Sequence, residues 1–171
     1  MGACETEGPA IGPGRNRGDG LGGNGSVPPR PSDANWIALS IVIPVFNESR
    51  RVQTGLEELL ASVESGELAG ETTEFIVVDD GSTDDTAEQA AGLLALFARS
   101  TLICLPTNRG KGAAIRAGVA QAQGAIVTFM DVDMSVHPSQ LPSLVAALND
   151  ADVAIGSRSL PESETECESL L

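Results

Sequence analysis

Leu39-Ser-Ile-Val-Ile-Pro-Val-Phe46 is apolar at nearly every position and stops at Asn47 and Glu48. A strand with one wet face would alternate; an unbroken apolar run of this length fits a strand covered on both faces of a parallel sheet. Downstream, Val52, Leu56, Leu59, Leu60 and Val63 recur at helical spacing. Phe75-Ile-Val-Val78 repeats the strand pattern and ends at Asp79-Asp80-Gly81. A helix is expected to open at Ser82, with Asp85 as capping-box partner and Ala87, Ala90, Leu94 and Phe97 as its stripe. Leu102–Leu105 is a third strand, and Asn108-Arg-Gly-Lys-Gly112 a glycine-rich turn into a small-residue helix ending near Gly124. Ala125–Met130 is a fourth strand, closed by Asp131-Val132-Asp133. A helix carrying Leu141, Leu144, Val145 and Leu148 follows, then a short fifth strand, Val153–Ile155. Buried strands alternating with helices specify an α/β fold: an open, mostly parallel sheet with helices on both faces.

Both flanks differ from this pattern. Residues 1–35 hold nine Gly and five Pro with little apolar content, so they read as a disordered tail that cannot offset its ordering entropy. Residues 36–161 form the patterned domain, and 162–171 an acidic tail with four Glu and no basic residue. The 171-residue chain carries a net charge of −14, which excludes a nucleic-acid backbone as the main partner. No run of eighteen apolar residues spans a membrane, and the start lacks the apolar core of a secretory signal. The expectation is a cytoplasmic protein. Three scattered cysteines, Cys4, Cys104 and Cys167, offer neither a disulfide framework nor zinc spacing; Cys104 reads as core.

Ligands of open α/β sheets bind outside the carboxyl ends of the strands. There the sequence places Glu48, then Asp79 and Asp80, then Asn108–Gly112, then Asp131 and Asp133, then Ser157 and Arg158. Carboxylates crowded at one edge raise each other's pKa unless a cation intervenes. Oxygen-only ligands favour Mg2+ or Mn2+, and Mg2+ completes its shell with substrate phosphate. Plainer readings stand beside these. Asp79 fits turn chemistry as well as a site. Asn108–Gly112 matches no phosphate-binding motif and either lets a helix pack tightly or brings Lys111 to an anion. His137, followed by Pro138, reads as a helix-start residue.

Ile43-Pro-Val-Phe-Asn-Glu48, Val77-Val-Asp-Asp-Gly-Ser-Thr-Asp84, Asn108-Arg-Gly-Lys-Gly-Ala113, Met130-Asp-Val-Asp-Met-Ser135 and Ile155-Gly-Ser-Arg158 together resemble the family-2 glycosyltransferases of the GT-A fold. Within that family the pattern is most similar to the polyprenyl-phosphate sugar transferases, the dolichyl-phosphate β-glucosyltransferase type first and dolichyl-phosphate mannose synthase next. The resemblance implies that Pro44, Phe46 and Glu48 line a nucleotide site and that Val78 and Asp80 contact base or ribose. Asp131, Val132 and Asp133 match the D-x-D motif, with Asp133 as direct metal ligand and Asp131 nearer the sugar nucleotide. Arg158 matches a basic residue of the donor site. Two positions depart from the family: Phe46, where relatives often carry Tyr, and Val132, where many have Ala.

The implied reaction moves a hexose, glucose first, from UDP-glucose, or GDP-mannose as second choice, to a polyprenyl (dolichyl) phosphate. That phosphate is already anionic at neutral pH and needs no general base, so direct displacement with inversion is expected. Relatives continue well past a fifth strand. The chain therefore reads as C-terminally truncated, with the donor half intact, transfer weak or absent, and the part that would meet the cytosolic face of a membrane missing. Two alternatives remain: a donor-binding module without turnover, and a phosphatase of haloacid-dehalogenase type, whose D-x-D-x-T loop Asp131–Ser135 resembles.

Overall fold

The structure, a computed structural model, describes residues 36–70 and 72–157. Both expected tails lie outside them. Four strands, β1 (Leu39–Val45), β2 (Thr73–Asp79), β3 (Ser100–Cys104) and β4 (Ile126–Phe129), pair in parallel in the order β3-β2-β1-β4. Ile41 of β1 lies between Phe75 of β2 and Thr128 of β4. The two central strands explain the unbroken apolar runs, since β2 is buried at all seven positions.

Alternate residues of these strands feed two cores, as the two-residue period of a strand requires. Ile41, Ile43, Phe75 and Val77 face one cluster, completed by Leu56 and Leu59 of α1 (Val52–Glu64) and Ala90 and Leu94 of α2 (Thr86–Leu94). Val42, Ile76 and Val78 face the other, beneath Ala114 of α3 (Lys111–Gln121). A further helix, α4 (Leu141–Ala147), follows a 3-10 turn at Pro138–Gln140 and buries Leu141 against the first cluster.

One polar knot lies inside the sheet. Glu74 of β2 is only 7% exposed, and its Oε1 accepts from the Ser40 hydroxyl at 2.5 Å and from the amides of Gln123 and Gly124 at 2.5 and 3.1 Å. Three donors satisfy a buried carboxylate that would otherwise be costly, and they fasten the turn between α3 and β4.

Four expectations are corrected. The second helix opens at Thr86, not Ser82, because the Ser82 hydroxyl accepts from the Asn47 amide and the Thr83 amide is spent on Asn47 Oδ1. That helix ends at Leu94, yet Phe97 beyond it is still buried and packs on Phe75 with ring centroids 4.5 Å apart. Val153–Ile155 forms no strand: Val153 and Ile155 are 72% and 83% exposed. Three residues offer too few ladder bonds and too little burial to offset their ordering entropy, and β4 leaves its own Val127 and Phe129 exposed. Cys104 is half-buried rather than core.

Candidate active site

The carboxyl ends of the strands open into a cavity of about 320 Å³. The end of β1 supplies Pro44, Val45, Phe46 and Glu48, and β2 supplies Asp80. The turn into α3 brings Asn108, Gly110 and Lys111, with Ala114 one helical turn on; the loop after β4 brings Asp131, Val132 and Asp133.

Local chemistry explains each placement. Asp80, 2% exposed, accepts from the amides of Arg109 at 3.0 Å and Gly110 at 2.7 Å, so it shapes the glycine turn. Gly110 adopts φ 89°, a conformation that a side chain would strain. The turn thereby delivers Lys111, the first residue of α3, to Asp131, with Nζ 2.5 Å from Oδ1. Asp133 accepts from the Ser135 amide at 3.0 Å, and Met134 between them takes φ 50°. The same loop rests on α1 at Gly55, where a Cβ would overlap the Val132 carbonyl oxygen.

Eight of the ten expected site residues line this one cavity: Pro44, Phe46, Glu48, Asp80, Lys111, Asp131, Val132 and Asp133. Val78 does not; its side chain is fully buried in the cluster beneath Ala114 of α3, on the face that Pro44 and Ala114 extend up to the cavity. Arg158 lies outside the described residues. Asn108, which sequence reasoning placed in the turn without a role, lines the cavity and accepts from Gly110 N at 3.1 Å. Position two residues before a glycine in a tight turn was its signal.

Glu48, Asp80, Asp131 and Asp133 do meet at the cavity, whereas Asp79 does not line it. Asp79 accepts from the Ser82 amide at 3.1 Å, the turn role set beside the functional one. Asp80 is filled by amides and Asp131 faces Lys111, so each group has its own partner. Among the described residues no three His, Cys, Asp or Glu side chains gather as a metal site. Asp131 and Asp133 border the cavity together with Glu48 and Asp80, and the oxygen-only pair after β4 fits a hard divalent ion that draws its remaining ligands from water and phosphate. His137 acts at a helix start, as expected: its Nδ1 accepts from the Ser139 amide at 3.1 Å, while Nε2 lies 3.4 Å from Glu58 of α1.

The comparisons with known proteins agree with this architecture. The model of the family Glycosyl transferase family 2 matches residues 40–166. A dolichyl-phosphate beta-glucosyltransferase of Trichomonas vaginalis is 35% identical over 150 residues, covering 82% of this chain and 46% of the relative. The Homo sapiens dolichyl-phosphate beta-glucosyltransferase is 33% identical over 138 residues, covering 74% and 43%. Among solved structures, S. aureus TarS 1-349 in complex with UDP-GlcNAc superposes with a TM-score of 0.56 at 25% identity, covering 64% of this chain and 30% of that one. The chain thus spans less than half the length of these curated relatives. The match sets the phosphatase alternative aside. By the family match and by the open parallel sheet with its site at the strand ends, this chain belongs to glycosyl transferase family 2 and has the GT-A fold.

Proposed function

We propose that this chain forms the donor half of an inverting glycosyltransferase that moves a hexose, glucose first, from a nucleotide-diphosphate sugar to a polyprenyl phosphate. The observation that carries the reading is the single cavity shared by Phe46, Glu48, Asp80, Lys111, Asp131 and Asp133. The names of the relatives support the acceptor and the sugar, and UDP-GlcNAc in the TarS complex supports a uridine nucleotide.

Phe46, 41% exposed at the rim, offers a ring face for a base. Lys111 supplies positive charge toward the diphosphate, at the start of α3 where free amides also favour an anion. Asp131 and Asp133 would hold Mg2+ or Mn2+, which when bound neutralises the diphosphate leaving group as a Lewis acid. The lipid phosphate oxygen forms a bond to the anomeric carbon as the bond from that carbon to the diphosphate oxygen breaks. The phosphate's second pKa of about 6 makes it a nucleophile without a base. A donor-binding module without turnover is the second reading, favoured by the uncovered sheet face at β4, where Phe129 is 54% exposed.

The test is transfer from UDP-glucose to a short-chain polyprenyl phosphate, with the product's anomeric configuration read by NMR. Inverted product, lost in Asp133→Ala, is expected for the transferase. Nucleotide-sugar binding without product selects the second reading, and retained configuration overturns the displacement chemistry.

A further inference from the structure

The loop that carries Phe46 and Glu48 into the cavity is held from behind by the segment after β2. Three consecutive amides of this loop are taken in turn. Asn47 N donates to Ser82 Oγ at 2.8 Å, Glu48 N to Thr86 Oγ1 at 2.8 Å, and Ser49 N to Asp84 Oδ2 at 3.3 Å. Asn47, at φ 52°, returns a bond by accepting from the Thr83 amide at 2.9 Å. The central member of this clamp is Thr86. It is fully buried, and its hydroxyl accepts from Glu48 N while donating to Asp84 Oδ1 at 2.5 Å. Neither Thr86 nor Asp84 lines the cavity.

We propose that Thr86 is a positioning residue of the nucleotide-sugar site: its hydroxyl fixes the Glu48 backbone and thereby the cavity wall formed by Phe46 and Glu48. The inference rests on the proposed donor-binding function for its consequence, but the clamp itself can be read without any ligand. Thr86→Val keeps the shape and removes the hydroxyl, leaving the Glu48 amide without its acceptor; Thr86→Ser keeps the hydroxyl and removes only a methyl group.

The experiment uses the full chain, with Thr86→Val, Thr86→Ser and a remote core variant, Leu94→Ala, as a control for lost stability. Amide hydrogen exchange is read at residues 46–49, and UDP-glucose affinity by titration at a temperature where all four proteins are folded. Thr86→Val is expected to speed exchange of the Glu48 amide and to weaken UDP-glucose about tenfold, a change of about 1.4 kcal/mol. Thr86→Ser is expected to restore both, and Leu94→Ala to leave affinity unchanged. Fast exchange at Glu48 with wild-type affinity in Thr86→Val would overturn the positioning role. So would an equal loss of affinity in Leu94→Ala. If the wild type binds no nucleotide sugar, the proposed function fails, and the exchange rates alone decide whether Thr86 holds the loop; unchanged Glu48 exchange in Thr86→Val would overturn that as well.

Discussion

Lys111 and Asp131 meet at 2.5 Å with side chains 53% and 47% exposed. A pair so open to water contributes at most about 1 kcal/mol to folding. Its larger consequence is charge at the cavity. Lys111→Met is therefore expected to leave the melting temperature within a few degrees of wild type while weakening UDP-glucose about tenfold, measured by thermal denaturation and titration. Glu74 is the converse case, far from the cavity and buried. Glu74→Ala leaves the amides of Gln123 and Gly124 and the Ser40 hydroxyl without their shared acceptor, which should cost about 3 kcal/mol by denaturant unfolding. Legibility divides the same way. Asp131 and Asp133 were readable because a strand pattern ended at them. Glu74 was not, since a carboxylate at the start of a strand reads as a solvated edge until its three donors are known. Val78 lies below the cavity lining, packed beneath Ala114, because periodicity shows that a strand is buried without showing how far along it the cavity reaches.

At the scale of elements, helix α1 and the loop after β4 touch at Gly55 without room for a methyl group. Gly55→Ala would ordinarily help a helix; here overpacking against the Val132 carbonyl should cost about 1–3 kcal/mol. It should also weaken metal-dependent donor binding, because Val132 lies between Asp131 and Asp133. Unfolding and titration on one preparation check both effects. Asp84 shows how loop and helix are joined. Hydrogen bonds from the Thr86 hydroxyl, then from Ser49, hold its carboxyl down at about 2, against an ordinary 3.8. Because the folded value lies below the unfolded one, the contribution to stability is present above about pH 4 and is lost as pH falls toward 2. Asp84→Asn should flatten that part of the stability curve, measured by unfolding between pH 2 and 5. The second helix was legible in sequence, but not its first residue. Ser82 and Asp85 carry a capping pattern, whereas Asn47, thirty-five residues earlier, takes the Ser82 hydroxyl. A local motif lost to a contact that sequence spacing cannot reveal.

Across the whole molecule, the order β3-β2-β1-β4 places the first strand at the centre, which is why its apolar run is unbroken and the one in β4 ends at exposed Phe129. Central strands announce themselves in sequence through burial on both faces. Strand order and the fate of Val153–Ile155 do not, because pairing depends on what else is present to cover an edge. No helix among the described residues is long and apolar enough to cross a membrane, and the net charge of −14 is set against anionic surfaces. What the described residues do offer is a cavity at the strand ends, lined by carboxylates, a lysine and a phenylalanine. The most direct test of its use is calorimetric titration of the full chain with UDP-glucose, in Mn2+ and again in EDTA. Binding in Mn2+ that EDTA abolishes and Asp133→Ala removes is the expected result. Heat indistinguishable from buffer dilution with UDP-glucose, and then with GDP-mannose, would contradict a donor site in this chain.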